Sequence, residues 1–174
     1  MTPHGPAEAS PWVVRFAALV PAGGVLDVAA GTGRHTRFFR DRGHPVTAID
    51  RDVSSLALDA GTSTVTILRH DLEDGGPWPL VGHAFAAVVV ANYLHRPLFP
   101  HLLHCVQPGG LLLYETFAAG NERFGRPQHP DHLLRSGELL EVVRGSLDVL
   151  AYEHLTIDAP RPAVMQRIAA RRSG

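Results

Sequence analysis

Short apolar segments alternate with polar or helical segments along the first two thirds of the chain. Five of these segments lie between residues 25 and 117, each bounded by glycine, proline or charged residues. Continuous apolar runs of this length are typical of strands buried on both faces, as in a parallel sheet whose crossovers cover it. The predicted strands are 25–30, 45–50, 64–70, 84–91 and 111–117, and the predicted crossover helices are 34–42, 53–60 and 97–106.

The segments on either side of this alternating region follow a different pattern. Ser10 before Pro11 is an N-cap signal, so a helix is predicted over 10–20, after a flexible N-terminus at 1–9. Residues 118–135 contain several glycines and prolines and are predicted to form a long loop that acts as a lid or binding loop. Ser136 is predicted to cap a helix that ends near Arg144. Two further strands, 147–157 and 163–170, are predicted to form a terminal hairpin.

These elements predict one α/β domain over residues 10–174. Right-handed crossovers between parallel strands give a doubly wound, Rossmann-like sheet, here with seven strands. The length of 174 residues fits a single domain, and 45% apolar with 19% charged residues fits a globular chain.

Composition excludes several kinds of chemistry. All 16 basic residues are arginine, which excludes a lysine Schiff base and a Walker-type phosphate lysine. The single cysteine, Cys105, excludes a disulfide within the chain and a cysteine-based zinc site. His101 and His104 lack an acidic partner at ligand spacing, so no metal is expected. A net charge of −1 makes nucleic acid an unlikely partner. Without a signal peptide or an apolar span of ~20 residues, we expect a cytoplasmic protein without membrane segments.

Candidate ligand-binding residues follow the first three predicted strands. Gly31 and Gly33 lie where strand one turns into the next helix, and Asp50 and Asp71 end strands two and three. The carboxyl ends of parallel strands form one crevice, where ligands bind in doubly wound sheets. Asp50 can accept hydrogen bonds from two ribose hydroxyls, and Asp71 from an adenine amino group.

Two nucleotide cofactors fit this pattern. A dinucleotide normally requires a third glycine, for which Thr36 stands here. Asp27 lies inside strand one, where a dinucleotide fold keeps an apolar residue. An acid at that position favours a cofactor with a cationic amino-acid tail and no phosphate, such as S-adenosylmethionine.

The motifs VLDVAAGTGRHT, AID, HDL, VVVANYLH and PGGLLLYET, in this order, resemble the class I S-adenosylmethionine-dependent methyltransferases over residues 10–170. Within them the chain is similar to the compact, small-molecule type, which includes tellurite-resistance-like enzymes. The resemblance implies strand order 3-2-1-4-5-7-6, an antiparallel terminal hairpin, and S-adenosylhomocysteine as product. It also implies that the cofactor is bound by Asp27, Ala29, Gly31, Thr32, Gly33, Asp50, Arg51, Asp71, Leu72 and Asn92.

The roles implied for these residues differ along the cofactor. Asp27 and the backbone of Gly31–Gly33 would hold the methionine moiety, and Asp50 the ribose. Asp71 and Leu72 would frame the adenine. Ala29 and Ala30 depart from the family pattern, which usually carries a further glycine or a cysteine there.

The methyl acceptor is expected above strands four and five. In the loop at 92–97, Tyr93 and His95 are the candidate catalytic residues, since a histidine titrates near neutrality and can take a proton. His95 also fits a purely structural position at the start of a helix. Arg96 is a candidate ligand for a carboxylate or phosphate. A small-molecule acceptor is predicted, while protein acceptors, the attacking atom and the oligomeric state stay open.

Other polar or aromatic residues have two interpretations each. Trp12 fits either the core or a position over the cofactor. Of Tyr114 and Glu115, which alternate at the end of strand five, at most one is expected to face the pocket. Arg167 and its neighbours near the C-terminus are interpreted as a solvated cluster.

Two alternatives to a methyltransferase remain. The first is an NAD(P)-dependent oxidoreductase on the same architecture, which Asp27 and Thr36 disfavour. The second is a non-catalytic cofactor-binding module, against which the acids at 27, 50 and 71 argue.

Overall fold

A computed structural model describes residues 8–59 and 63–174. These residues form a seven-stranded sheet in the order β3-β2-β1-β4-β5-β7-β6, which confirms the predicted topology. Most of the expected segment 1–9, and Ala60 at the end of the predicted helix 53–60, lie outside the described residues. The strands are β1 Val25–Val28, β2 Val46–Asp50, β3 Val65–Arg69, β4 Phe85–Ala91, β5 Val106–Phe117, β6 Asp148–Ile157 and β7 Ala163–Arg171.

Short helices connect the strands. Ser10 caps α1 as predicted, because its hydroxyl accepts hydrogen bonds from the backbone N–H groups of Trp12 and Val13. None of the helices within residues 8–59 and 63–174 has the length and apolarity that a membrane crossing requires. The α-helices are α1 Pro11–Phe16, α2 Arg34–Arg40, α3 Phe99–Cys105 and α4 Glu138–Val143, and 3-10 helices cover Ala17–Leu19, Ser54–Asp59, Arg96–Leu98, Asn121–Arg123 and Pro130–His132.

Strands β1 to β5 run parallel to one another, and β7 runs antiparallel between β5 and β6. Strand β4 is buried on both faces, as its unbroken apolar sequence predicts, and β1 is buried along its whole length although it contains Asp27. Val25 packs with Trp12 and Phe39 on the face covered by α1 and α2. Leu26 packs with Leu102 on the opposite face, which α3 and α4 cover. Trp12 is therefore a core residue, and its indole nitrogen donates to the carbonyl of Ile168 at 3.2 Å.

The start of β5 differs from the prediction. The segment 108–110 was predicted as a turn before the strand, but pairing begins earlier, where Val106 lies opposite Phe85. The register then shifts, and Gly109 has a φ of +76°. A Cβ on Gly110 would lie 2.9 Å from the carbonyl oxygen of Phe85. Glycine thus allows a bulge inside the strand, where the sequence indicates only a turn.

The segment 118–135 is more ordered than the structureless loop that was predicted. It contains two 3-10 helices, and Asn121 inside it is buried. The Asn121 side chain accepts from the backbone N–H of Val164 at 3.2 Å and donates to the carbonyl of Pro127 at 3.1 Å. One buried amide thereby fixes this segment to β7, a constraint that its local composition does not reveal.

The N-terminus of α4 also corrects a prediction. Ser136 does not cap the helix; the N-cap is Gly137, with a φ of +72° and no side-chain capping bond. The Glu138 carboxylate accepts instead from the backbone N–H of Arg135 at 2.7 Å. A carboxylate in the first turn therefore satisfies a backbone donor that precedes the helix.

Candidate functional site

A cleft opens at the carboxyl ends of the parallel strands. Its volume is about 490 Å³, within the range of small-molecule sites. It lies where doubly wound sheets bind ligands, because the loops after β1 and β4 diverge there. The cleft is lined by Ala29, Asp50, Arg51, His70, Asp71, Leu72, Glu73, Asn92, Tyr93, Leu94, Thr116, Phe117, Pro127 and His132.

The turn between β1 and α2 has an unusual backbone. Ala29, Gly31 and Gly33 all have positive φ, of 53°, 54° and 76°. Asn92, at the end of β4, shares this property with a φ of 57°. A positive φ strains a residue other than glycine, and such residues cluster at ligand sites. Ala29 and Asn92, the two residues other than glycine with positive φ among those described, both line the cleft.

Asp50 links two of the loops that form the cleft. One carboxylate oxygen accepts from the backbone N–H of Gly31 at 2.8 Å, and the other from that of Asp52 at 2.9 Å. Asp71 similarly accepts from the backbone N–H of Glu73 at 3.0 Å. An ionised carboxylate has about four acceptor positions, so Asp50 and Asp71 keep capacity for hydroxyl or amino groups in the cleft.

Asp27 lies outside the cleft lining, enclosed between β1 and the first turn of α2. It is 2% exposed, and its carboxylate accepts from the Thr36 hydroxyl at 2.6 Å. Burial raises the pKa of Asp27 to about 6, although the hydrogen bonds from Thr36 oppose this shift. Thr36, which stands where a dinucleotide-binding fold has its third glycine, therefore supplies a hydroxyl that donates a hydrogen bond to the buried Asp27. Gly31, Thr32 and Gly33 likewise lie in the turn without lining the cleft.

His35 is the second buried titratable group of this turn. Its Nε2 accepts from the backbone N–H of Ser10 at 3.2 Å, so that ring nitrogen carries no proton. Burial, and then the positive charge of Arg34, lower the pKa of His35 to about 4. The imidazole is neutral at physiological pH and connects α2 to the cap of α1.

The other end of the cleft is formed by the loop after β4, the end of β5 and the segment 118–135. The Tyr93 ring is half-buried beside the Glu73 carboxylate. Burial, and then the charge of Glu73, raise the pKa of Tyr93 well above its ordinary value. The Tyr93 carbonyl accepts from the Tyr114 hydroxyl at 2.8 Å. Tyr93 is therefore a neutral hydrogen-bonding group next to a carboxylate.

The structure does not bring His95 into this lining. Its side chain lines two smaller cavities, one with Trp78 and His101 and the other beside Arg96. The histidines that line the cleft with Tyr93 are His70 and His132. A catalytic role for His95 stays a prediction from sequence, and this placement does not support it.

Arg96 corrects another expectation. Its guanidinium pairs with both carboxylate oxygens of Glu138, at 2.7 and 3.0 Å. It also donates to the carbonyls of Asp131 and Leu133, at 3.0 and 2.9 Å. Arg96 is thus a structural link between the loop after β4, the segment 118–135 and α4, and not an anion ligand.

Polar residues of β5 and β7 are similarly occupied. Neither Tyr114 nor Glu115 lines the cleft; Glu115 is buried and pairs with Arg167 at 3.2 Å. Arg172 donates to the carbonyl of Val106 at 2.6 Å. The C-terminal arginines are therefore not a solvated cluster. Among residues 8–59 and 63–174, no group of three histidine, cysteine or acidic side chains is arranged to hold a metal ion.

Sequence reasoning missed three titratable cleft residues, which are His70, Glu73 and His132. His70 directly follows β3 and precedes Asp71. Glu73 follows Asp71 by two positions in the same loop after β3, so the strand-end argument that selected Asp71 extends to it. His132 belongs to a segment that reaches the cleft only through distant contacts such as that of Asn121. No local pattern distinguishes it from the other ten histidines.

Comparisons with known proteins agree with this architecture. Malonyl-[acyl-carrier protein] O-methyltransferase of Serratia marcescens is 32% identical over 106 residues, which cover 58% of this chain and 41% of that enzyme. TehB from Haemophilus influenzae matches with a TM-score of 0.78 and 17% identity, over 95% of this chain and 63% of TehB. A Burkholderia thailandensis 1,6-didemethyltoxoflavin-N1-methyltransferase, solved with 1,6-didemethyltoxoflavin and S-adenosylhomocysteine bound, matches with a TM-score of 0.69 and 20% identity, over 94% of this chain and 76% of that one. No protein-family model matches the chain.

The described residues therefore have the fold of the class I S-adenosylmethionine-dependent methyltransferases, which confirms the resemblance found in the sequence motifs. At 17% identity the similarity to TehB is a likeness of fold. The chain spans less than half of the Serratia enzyme and about three fifths of TehB.

Proposed function

We propose that this protein is an S-adenosylmethionine-dependent methyltransferase that acts on a small-molecule acceptor. The observation that carries the proposal is the cleft at the carboxyl ends of β1 to β4. Carboxylates with free acceptor capacity, Asp50 and Asp71, line it next to the strained positions Ala29 and Asn92. Its volume suits a nucleoside cofactor together with a small acceptor.

The residues present fit the chemistry of this cofactor. Asp50 would accept from the ribose hydroxyls, Asp71 from the adenine amino group, and Arg51 and Leu72 would border the ring. The ammonium group of the methionine moiety would lie by the turn that includes Gly31, Thr32 and Gly33. Asp27 supports that assignment, because a buried acid whose pKa is about 6 is ionised more readily when a cation approaches.

Bound S-adenosylmethionine supplies a methyl group already activated by the positive charge on sulfur. The residues of the chain then have to orient the acceptor and exclude water. Tyr93, Thr116 and His132 are the polar groups suited to the first task, and Leu94, Phe117 and Pro127 to the second. Asn92 lies between the two halves of the cleft, at the end of β4.

The two alternatives are less well supported. An NAD(P)-dependent oxidoreductase would need space for a pyrophosphate against the start of α2, where Thr36 instead hydrogen-bonds Asp27. Against a non-catalytic module stand the cleft carboxylates Asp50 and Asp71, both of which keep free acceptor positions. Malonyl-[acyl-carrier protein] and 1,6-didemethyltoxoflavin are named for the Serratia and Burkholderia enzymes and are not assigned to this chain. A cytoplasmic location and the lack of a nucleic-acid partner stay predictions from sequence.

Calorimetric titration with S-adenosylhomocysteine, and with NADH as control, tests the proposal. We expect micromolar binding of S-adenosylhomocysteine, which corresponds to about −8 kcal/mol, and no measurable binding of NADH. Binding of NADH instead would indicate the oxidoreductase alternative. Binding of neither would favour the non-catalytic module.

A further inference from the structure

Glu73 is a charged residue of the cleft to which the cofactor-binding proposal above assigns no role. It lies two residues beyond Asp71, on the side of the cleft that faces the loop after β4. The same side chain lines a smaller neighbouring cavity with Arg96, Asp131 and His132. Glu73 is exposed, and its carboxylate has no ion pair among the residues described. The charge is therefore available to a ligand at the acceptor end of the cleft.

No arginine among the described residues lines the cleft itself at this end, although Arg96 lines the neighbouring cavity and Arg126 lines a further cavity with Pro127 and His132. Arg96, the arginine of the loop after β4, uses its guanidinium for Glu138 and for the carbonyls of Asp131 and Leu133. Arg51, the one arginine of the described cleft lining, follows β2 and lies at the cofactor end. An acceptor with a carboxylate or phosphate near its reacting atom would meet Glu73 without a neutralising partner.

The remaining groups at the acceptor end complete the environment of Glu73. Tyr93 presents a half-buried hydroxyl beside the Glu73 carboxylate, and burial keeps that hydroxyl protonated. His132 is the titratable group contributed by the segment 118–135. Leu94, Phe117 and Pro127 provide apolar surface. A compact apolar body that carries an N–H donor matches this set, because Glu73 can only accept when ionised.

We propose, on the basis of the methyltransferase function proposed above, that the acceptor is an amine whose nitrogen Glu73 recognises through an N–H···O⁻ hydrogen bond, with Tyr93 positioning the carboxylate. This assignment names the substrate class and a residue that determines it. Hydrogen bonds to ionised groups are about twice as strong as neutral ones, so a single carboxylate suffices to select an amine over an acid of equal size.

The chemistry of transfer balances with these groups. The lone pair of the neutral amine nitrogen forms the new N–C bond to the methyl carbon. The C–S bond breaks, and its electron pair goes to sulfur, which becomes a neutral thioether. The nitrogen gains a positive charge, which Glu73 stabilises, and then loses its proton to that carboxylate.

Two small probes of equal shape and opposite charge test the substrate class. Benzylamine and benzoate are titrated into protein saturated with S-adenosylhomocysteine, and binding is measured by ligand-observed NMR. Three proteins are compared: wild type, Glu73→Gln, and Asp74→Asn as a control that removes an equal charge next to the cleft but outside its lining. We expect benzylamine to bind more tightly than benzoate to the wild type. Glu73→Gln should weaken benzylamine binding about threefold, the size expected of a pair with an exposed carboxylate, and Asp74→Asn should leave it unchanged.

The outcomes separate this inference from the proposed function. Calorimetric binding of S-adenosylhomocysteine is measured first on the same three proteins and is expected to be equal in all of them. If the wild type does not bind S-adenosylhomocysteine, the proposed function fails. If it does, three results overturn the amine assignment alone: no benzylamine binding, benzoate binding at least as tight, or benzylamine binding that Glu73→Gln does not weaken.

Discussion

The cleft and the junction around α4 use their polar side chains in opposite ways. The α4 junction, formed by Arg96, Arg135, Glu138 and Gln166, is nearly saturated with hydrogen bonds. Gln166 is fully buried, accepts from the backbone N–H of Leu139 at 2.8 Å and donates to the carbonyl of Arg135 at 2.9 Å. Glu138, 4% exposed, pairs with Arg96. Each buried polar group there has a partner within the chain.

The polar side chains of the cleft, in contrast, are not saturated with hydrogen bonds from within the chain. Asp50 and Asp71 accept from neighbouring backbone N–H groups but keep free acceptor positions, and Glu73 has no cationic partner among the described residues. Backbone strain at Ala29 and Asn92 is confined to the same edge of the sheet. Saturated networks specify a rigid arrangement, whereas unsaturated polar groups on a strained backbone are typical of ligand sites. Free hydrogen-bonding capacity, more than charge alone, therefore distinguishes functional from structural side chains in this protein.

Removal of Arg96 should have the largest effect on stability. Arg96→Met leaves the buried Glu138 with the exposed Arg135 as its remaining cation, and the loss of one partner from a buried ion pair costs about 3–4 kcal/mol. Chemical denaturation of wild type and variant measures the difference in free energy of unfolding.

Arg144→Met provides the matched control. Arg144 pairs with Glu141 at 2.6 Å, a distance similar to that of the Arg96–Glu138 pair, but both side chains are more than 60% exposed. We expect a loss of about 0.5 kcal/mol or less. Equal losses in Arg96→Met and Arg144→Met would contradict the distinction between the α4 junction and ordinary surface pairs.

Asp27 should make stability depend on pH in an unusual direction. Its folded-state pKa of about 6 lies above the ordinary value of 3.8. Its stabilising contribution is therefore complete below pH 4 and is lost as the pH rises through 6. Asp27→Asn removes this titration, so the variant should gain about 2–3 kcal/mol relative to wild type between pH 4 and pH 7.

Urea denaturation of both proteins across this range measures the gain. His35, whose pKa burial lowers to about 4, titrates in the opposite sense, but it is present in both proteins and cancels from the difference. A difference that stays constant between pH 4 and pH 7 would show that Asp27 is not held in its protonated form by burial.

Substitution at the strained backbone of the cleft should have the smallest effect on stability. Ala29 has a φ of 53°, so Ala29→Gly relieves about 1 kcal/mol of strain, which offsets the greater entropy of glycine in the unfolded chain. We expect no net loss of stability. Ala30→Gly, at a buried neighbour without positive φ, should lose about 1 kcal/mol. Thermal unfolding of the two variants compares them, and equal losses would mean that Ala29 carries no strain.

Much of the fold could be predicted because its signals are local. The apolar sequence of β4 has no polar face, so it fits only a strand covered on both sides. Asp50 and Asp71 were found because parallel strands end at one edge, which needs no knowledge of distant contacts. The bulge at Gly110 was missed because a proline and two glycines give the same local signal in a turn and in a bulge.

The interaction partners of the charged side chains could not be predicted in the same way. Arg96 was expected to bind anions, but its partner Glu138 lies in α4, far along the chain. Arg167 was expected in solvent, but it pairs with Glu115 of β5. His95 and His132 illustrate the same limit, because their positions relative to the cleft depend on how the segment 118–135 folds back.

The central claim is that the available carboxylates of the cleft bind the cofactor and are not needed for folding. Asp50→Asn tests it most directly, because the amide oxygen can still accept from the backbone N–H of Gly31 while the charge is lost. The measurement is the calorimetric dissociation constant for S-adenosylhomocysteine, taken with the free energy of unfolding and with Asp52→Asn as control. We predict binding weakened about tenfold or more by Asp50→Asn and no change in binding for Asp52→Asn. The stability of Asp50→Asn should fall by about 1 kcal/mol at most, because the amide nitrogen can no longer accept from the backbone N–H of Asp52. Unchanged binding in Asp50→Asn, or a loss of stability that accounts for the loss of binding, would contradict the claim.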